Sequence, residues 1–278
     1  MVINSNNMNE LTTDIKTLHE ETINNLKISK ANNTLRAYKS DFEDFAKFCA
    51  KHGFKSLPSD PKIVSLYITH LSKNSKISTL RRRLVSISMV HKLKGHYLDT
   101  KHPIIIENLM GIRRVKGSIQ EGKKPILINH LKSIINIINE QKIKEIKKLR
   151  DKSIILIGFA GGFRRTELIS IDHEDLEFVP EGLKITIKRS KTDQIGEGMI
   201  KGLPYFNNEI YCPVRNLKKW LEFSKIKAGP IFRRFSRGLS LADTRLTDQS
   251  VVMLIKEYLN LAGIENKNFA GHSLRSGL

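Results

Sequence analysis

The sequence has 278 residues, 40% of them hydrophobic, which is enough for the cores of two modest domains, and no apolar run is long enough to cross a bilayer. The formal net charge of +20 is spread along the chain and favours a long polyanion as partner over a merely basic soluble protein, because basic surface releases counterions from phosphates. Two distant cysteines, Cys49 and Cys212, argue against a disulfide or zinc framework, and the polar start is unlike a signal peptide, so we expect a cytoplasmic protein without membrane partners.

The first part of the chain, residues 1–117, is predicted to be an all-helical module. Apolar residues recur at helical spacing between residues 9 and 28, which predicts an amphipathic first helix. A second helix is expected to begin near Thr34, whose side chain can cap the free amides, and a third at Pro61, a residue that suits a helical first turn.

A basic helix is predicted in the same module, over residues 78–87. Its leucines form an apolar stripe, and three consecutive arginines fan over about 200 degrees of the helix surface. At least one of them should therefore face away from the core, toward a phosphate backbone, although a solvated basic face is the alternative. We predict that Arg81, Arg82 and Arg83 bind DNA.

A second domain is predicted over residues 126–278, after a polar linker at 118–125. Two segments, 183–188 and 198–203, read as strands that flank a polar turn, and the first of them alternates with period two. The other periodic segments are helical. The predicted fold class is mainly α with a small antiparallel β-sheet.

Five residues of the second domain suggest a reactive site. Arg164 and Glu167 are three apart on a predicted helical face, so the carboxylate can orient the guanidinium for an oxyanion, although an ordinary surface ion pair is the alternative. Lys191 lies at the tip of the predicted hairpin, where a lysine is usually just solvated. His272 and Arg275 are again three apart, so on one helical turn they point the same way.

These separated basic groups fit the stabilisation of a pentacoordinate phosphate, whose non-bridging oxygens guanidinium groups bind bidentately. The sequence has no carboxylate cluster that suggests a two-metal nuclease, and no glycine-rich loop with Lys-Ser/Thr that suggests an NTPase. Phosphodiester transesterification without a metal or another cofactor is the chemistry that remains.

Seven short motifs follow one another along almost the full chain. They are Thr34 to Tyr38, Ser78 to Leu84, Gly162 to Leu168, Ser190 to Asp193, Cys212 to Arg215, Gly229 to Phe232 and Gly271 to Gly277. Each motif alone is unspecific, but in this order they resemble the tyrosine recombinase (phage integrase) family. The resemblance implies a helical core-binding (SAM-like) domain at residues 1–117 and an integrase-type catalytic domain at 126–278.

The resemblance also implies a role for each residue of the site. Arg164 and Arg275 would clamp the scissile phosphate, and Glu167 would orient Arg164. Lys191 would be the general acid on the 5′ leaving oxygen, and His272 would assist through hydrogen bonding or proton transfer.

The family's nucleophilic tyrosine is expected some tens of residues after Arg275, and none of the six tyrosines follows His272. Tyr258 reads instead as a helix position that packs. A phosphate clamp without a nucleophile cannot form the covalent intermediate. We therefore expect that this chain alone neither cleaves nor rejoins DNA, and that its self-association on DNA is weakened.

The function expected from the sequence is site-specific recombination of double-stranded DNA, by integration or excision, with this chain itself inactive. The alternative is a non-catalytic DNA-binding protein that derives from a recombinase and occupies recombination sites. An enzyme similar to type IB topoisomerases would use the same chemistry, but the recombinase-like N-terminal domain argues against it.

Overall fold

The computed structural model describes residues 14–18, 20–22, 24–25, 32–117, 122, 124–188, 198–269 and 273–277. The chain divides into two compact units, Met1–Gln120 (unit 1) and Glu121–Leu278 (unit 2). Each unit has its own hydrophobic core. Among the described helices, none has both the length and the apolar character of a membrane span.

Unit 1 is helical, as predicted. Its described elements are short helical stretches between residues 14 and 25 and the helices α1 (Asn32–Lys51), α2 (Pro61–Ser72), α3 (Ile77–Leu93) and α4 (Pro103–Lys116). Helix α1 packs mainly on α3, and α2 packs mainly on α4. Phe45, Tyr67 and Leu80 are fully buried where these helices meet, because each lies on the apolar face of its helix.

Unit 2 is a helical domain with two small sheets. Its helices are α5 (Ile128–Glu140), α6 (Glu145–Ala160), α7 (Arg165–Ser170), α8 (Pro213–Ser224) and α9 (Asp248–Leu261). Its strands are β1 (Leu176–Val179), β2 (Gly182–Ile187), β3 (Met199–Pro204), β4 (Arg233–Phe235) and β5 (Leu241–Arg245). Strands β1, β2 and β3 form an antiparallel sheet in that order, and β4 and β5 form an antiparallel hairpin.

Helix α6 is the centre of unit 2. It contacts α8, α5 and α7, and four consecutive residues from Ile154 to Ile157 are all buried, so every side of the helix is covered. Asp151 on α6 is fully buried and accepts a hydrogen bond of 2.7 Å from the Tyr258 hydroxyl on α9. The expected packing role of Tyr258 is thus confirmed.

The predicted fold class, mainly α with a small antiparallel sheet, is confirmed. Strands β2 and β3 fall on the two predicted strand segments. Strands β1, β4 and β5 were not predicted. They are three to five residues long, too short to establish a period-two pattern against their charged residues.

Candidate phosphate-binding site

The site begins at the glycine turn that follows α6. Helix α6 ends at Ala160, and Gly162 has φ +54, in the left-handed region that favours glycine. A Cβ atom on Gly161 would lie 2.1 Å from the ring of Phe163, so this position also requires glycine. The turn delivers the next residue, Arg164, to the start of α7.

Arg164 is the N-cap residue of α7, with extended backbone at φ −66 and ψ 149. The Glu167 carboxylate accepts the backbone N–H of Arg164 at 2.9 Å and its guanidinium at 2.6 Å. The predicted pair is therefore present, but Arg164 precedes the helix instead of lying on its face. The physical reason is that Glu167, at the third helical position, binds the free amide of the cap residue.

The Glu167 carboxylate is almost fully buried, whereas a fifth of the Arg164 side chain is exposed. Burial raises the pKa of Glu167, but the hydrogen bonds from Arg164 outweigh burial and hold this pKa below its usual value. Glu167 is thus an anion committed to Arg164, and it keeps the guanidinium oriented.

Lys201 on β3 is a further member of this site. It pairs with the fully buried Ile185 in the sheet and lies on the same face as the buried Leu203. Its ammonium donates to the Gly161 carbonyl, and it lies 4.8 Å from the centre of the Phe163 ring. The sequence analysis did not identify Lys201. The signal that could have identified it is its position on a strand two residues before a core leucine, because such residues lie on the same face of the strand.

Three charged side chains in the described part of the chain act on the Lys201 ammonium. Burial lowers the pKa of Lys201 most, the Glu167 carboxylate opposes that effect, and the guanidiniums of Arg275 and Arg164 lower the pKa further. Among the described residues, the charges that act on the Lys201 ammonium are thus two guanidiniums and one carboxylate. This excess of positive charge makes the site suitable for an anion.

Arg275 has a fixed backbone and an exposed side chain. On one side, the Ser273 carbonyl accepts the N–H of Ile126 at 2.8 Å, and Leu274 is buried. On the other side, a Cβ on Gly277 would lie 1.7 Å from the Ile126 carbonyl oxygen, so the chain there is in close contact. Among the described residues, Arg275 has no carboxylate within ion-pair distance.

Arg164 and Glu167 form an ion pair, and the charges of Arg164, Glu167 and Arg275 all act on the Lys201 ammonium. The roles of these residues in binding a phosphate stay predictions. Lys191 and His272 lie outside the described residues, so their places in the site stay predictions. Within the described ranges, no group of three or more His, Cys, Asp or Glu residues is arranged to hold a metal ion.

The three arginines predicted to bind DNA differ in their surroundings in unit 1. Arg82 and Arg83 both form ion pairs with the buried Asp41 on α1, the second at 3.2 Å. Ser86 donates to the same carboxylate at 2.7 Å. These contacts join α3 to α1. Arg81 is exposed and, in contrast to Arg82 and Arg83, forms no ion pair with any described residue.

Arg81 lines a basic hollow of about 710 Å³ at the ends of α3 and α4. The other cationic residues of its described lining are Lys73, Lys76, Arg113 and Lys116, and this lining includes no carboxylate. Lys116 is held in place by a hydrogen bond of 3.1 Å to the Ser75 carbonyl. A concave surface with this charge is complementary to a phosphate backbone.

Solved structures with a similar fold are DNA-bound recombinases. The structure of a lambda integrase dimer bound to a COC′ core site has a TM-score of 0.57 at 14% identity, over 96% of this chain and 72% of that chain. XerH site-specific recombinase bound to difH substrate, in a pre-cleavage complex, has a TM-score of 0.56 at 15% identity, over 86% and 65%. The fold of the chain is therefore of the integrase type.

The sequence comparisons are more specific than the fold. Residues 126–278 match the model of the phage integrase family. An integrase/recombinase xerD homolog of Selenomonas ruminantium is 43% identical over 255 residues, which cover 91% of this chain and 74% of that protein. The chain belongs to the phage integrase family of tyrosine recombinases, and the predicted family is confirmed.

Proposed function

We propose that this protein acts in site-specific recombination of double-stranded DNA, and that unit 2 binds the scissile phosphate between Arg164 and Arg275. The part of the reaction that we propose for these residues is stabilisation of the phosphate in a phosphodiester transesterification without a metal, and the attacking nucleophile is not assigned to any residue of this chain. The observation that carries this proposal is the group of cations near Lys201, where the Arg164 guanidinium is held by Glu167 at 2.6 Å and Arg275 contributes a second guanidinium. The family membership and the likeness to DNA-bound recombinases support the choice of DNA as the anion.

The charge of the site suits the transition state better than the substrate. A phosphodiester carries one negative charge, and its pentacoordinate transition state carries about two. The charges of Arg164, Lys201, Arg275 and Glu167 sum to +2, and Lys191 is proposed to add a further positive charge, so the transition state matches the positive charge of the site better than the substrate does. Binding that is stronger in the transition state than in the ground state is what accelerates a reaction.

Each arginine has a separate part in this proposal. Arg164 presents its guanidinium to a non-bridging oxygen while Glu167 holds it from behind. Arg275 approaches on a side chain that is free to reach a second oxygen. From the family resemblance we further propose Lys191 as the general acid on the 5′ leaving oxygen, and His272 as its assistant in hydrogen bonding or proton transfer.

Unit 1 is proposed to hold the duplex. We assign residues 1–117 as the core-binding domain, 118–125 as the linker and 126–278 as the catalytic domain. The basic hollow around Arg81 supports this assignment, since its cations are positioned to contact the DNA backbone. We also propose that the protein self-associates on DNA, as the lambda integrase dimer does, and that it works in the cytoplasm.

The test is the salt dependence of duplex DNA binding. Each phosphate contact contributes about 0.9 to the slope of log affinity against log salt. Because both arginines contact the same phosphate, Arg164→Ala and Arg275→Ala should each lower the slope, and the double variant should lower it by about 0.9. The matched control is Arg165→Ala, which removes the neighbouring guanidinium, already paired with Asp248 at 3.6 Å. Equal slopes for all four variants and the wild type would contradict the proposed phosphate clamp.

A further inference from the structure

The ammonium group of Lys201 lies at the C-terminal end of α6. The last carbonyls of a helix have no partner within the helix, and a cation there also interacts favourably with the helix dipole. Lys201 donates to the Gly161 carbonyl and lies 3.5 Å from that of Gly162. A side chain from the sheet therefore binds both carbonyls of the turn after α6.

This turn determines where Arg164 stands. Arg164 follows the glycine turn after one residue, its guanidinium pairs with Glu167, and a fifth of its side chain is exposed. Two contacts therefore hold the backbone at Arg164. The Glu167 carboxylate accepts the Arg164 N–H, and the Lys201 ammonium donates to the Gly161 carbonyl before it. Removal of either contact should leave the guanidinium less well placed.

The position of Lys201 is electrostatically costly without a ligand. Its ammonium is partly buried and lies near two guanidiniums, with one carboxylate to oppose them. The role of a general acid is assigned to Lys191, so the contacts of Lys201 with the turn call for another role. We infer that Lys201 is a positioning residue of the phosphate site, which fixes the Gly161–Gly162 turn and thereby the guanidinium of Arg164. This inference rests on the proposed function, in which Arg164 binds phosphate.

The experiment uses the full 278-residue chain and inorganic phosphate as the probe. Phosphate is titrated at low ionic strength while NMR follows the side-chain Nε–H signals of 15N-labelled arginine. The signal of Arg164 is identified by its absence in Arg164→Ala. Lys201→Met removes the donor but keeps an unbranched stem over Phe163, and Lys201→Arg restores a cationic donor.

The matched control is Lys184→Met. Lys184 lies on the neighbouring strand β2, is exposed, and pairs with Glu177 at 3.0 Å, so this variant removes one positive charge from the same sheet outside the site. We expect Lys201→Met to weaken phosphate binding at Arg164 about tenfold, the loss of one charge-assisted hydrogen bond. The Arg164 signal should also move in the phosphate-free spectrum. Lys201→Arg should recover most of the affinity, and Lys184→Met should bind as the wild type does.

Three results would overturn the inference and leave the proposed function intact. They are an unchanged affinity and Arg164 signal in Lys201→Met, a loss of affinity in Lys184→Met as large as in Lys201→Met, or no recovery in Lys201→Arg. If Lys201→Met does not fold, Lys201→Leu, which also removes the donor and the charge, decides by the same criteria. The proposed function fails separately if phosphate does not shift the Arg164 signal of the wild-type chain.

Discussion

Two charged clusters lie along α6, one in the first half of the helix and one just after its C-terminal end, and among the described residues only the first is balanced. Near the start of the helix, Asp151 accepts from Lys147 at 2.9 Å, from Arg150 at 2.8 Å and from Tyr258 at 2.7 Å. Glu257 lies 3.7 Å from Lys147, so two cations face two carboxylates. Burial and the Asp151 carboxylate raise the pKa of Tyr258, which keeps its hydroxyl a donor.

In the cluster after the C-terminal end of α6, the charges of described residues that act on Lys201 are the guanidiniums of Arg164 and Arg275 and the Glu167 carboxylate. A balanced buried cluster is explained by its own hydrogen bonds, which join helices of the core. An unbalanced cluster needs a ligand to complete it. The comparison supports a stabilising role for the Asp151 cluster and our proposal that the Arg164 cluster binds an anion.

The largest expected effect comes from Asp151→Asn. This change leaves Lys147 and Arg150 without their common buried carboxylate, and the loss of one partner of a buried ion pair costs about 3–5 kcal/mol. The free energy of unfolding from urea titration should fall by that amount, and the salt slope of DNA binding by the folded protein should not change. For Arg275→Ala we expect the opposite result, with an unchanged free energy of unfolding and a lower salt slope of DNA binding. If Asp151→Asn is as stable as the wild type, the stabilising role of the Asp151 cluster is contradicted.

An effect of intermediate size is expected from the arginines of α3. Arg81→Ala should lower the salt slope of DNA binding by about 0.9, because its side chain lines the basic hollow. Arg82→Ala should leave the slope nearly unchanged and lower the stability of unit 1, because Arg82 pairs with the buried Asp41. Equal salt slopes of DNA binding in Arg81→Ala and Arg82→Ala would contradict the distinction between an arginine that is paired with a carboxylate and one that is not.

The smallest expected effect is a pH dependence in unit 1. His91 is fully buried, its Nε2 accepts the Ser59 N–H at 2.9 Å, and its Nδ1 lies 2.9 Å from the Ile87 carbonyl oxygen. Burial lowers the pKa of His91, the Ile87 carbonyl opposes this effect, and the charge of His96 adds to it.

The unfolded chain binds the proton of this histidine near pH 6.5, and the folded chain binds it only at lower pH. The stability that neutral His91 contributes is therefore present above about pH 6.5 and declines as the pH falls toward the lowered folded-state pKa. The melting temperature should decrease from pH 7 to pH 5 less steeply in His91→Gln than in the wild type. The exposed His52, changed to Gln, is the control, and a wild-type slope in His91→Gln would contradict the prediction.

Much of this molecule could be predicted from local sequence. Period-two alternation located β2, and helical spacing located most helices, because both patterns are set by neighbouring residues. The motif around Arg164 indicated the ion pair with Glu167, which needs only a separation of three residues.

Contacts that depend on long-range packing could not be predicted. The pairing of Arg82 with Asp41 joins residues 41 positions apart and depends on how α3 meets α1. The approach of Lys201 to the glycine turn depends on the register of β3 against β2 and on the packing of the sheet near α6. Local spacing also placed Arg164 on a helical face, whereas it is the cap residue.

The most direct test of the account is to locate an anion in crystals of the full chain soaked with tungstate, a phosphate analogue that anomalous scattering identifies. We predict that a tungstate ion is bound by the guanidiniums of Arg164 and Arg275, and that Glu167 remains paired with Arg164. Tungstate on the surface lysines but not between these two arginines would contradict the assignment of the Arg164 cluster as the phosphate site.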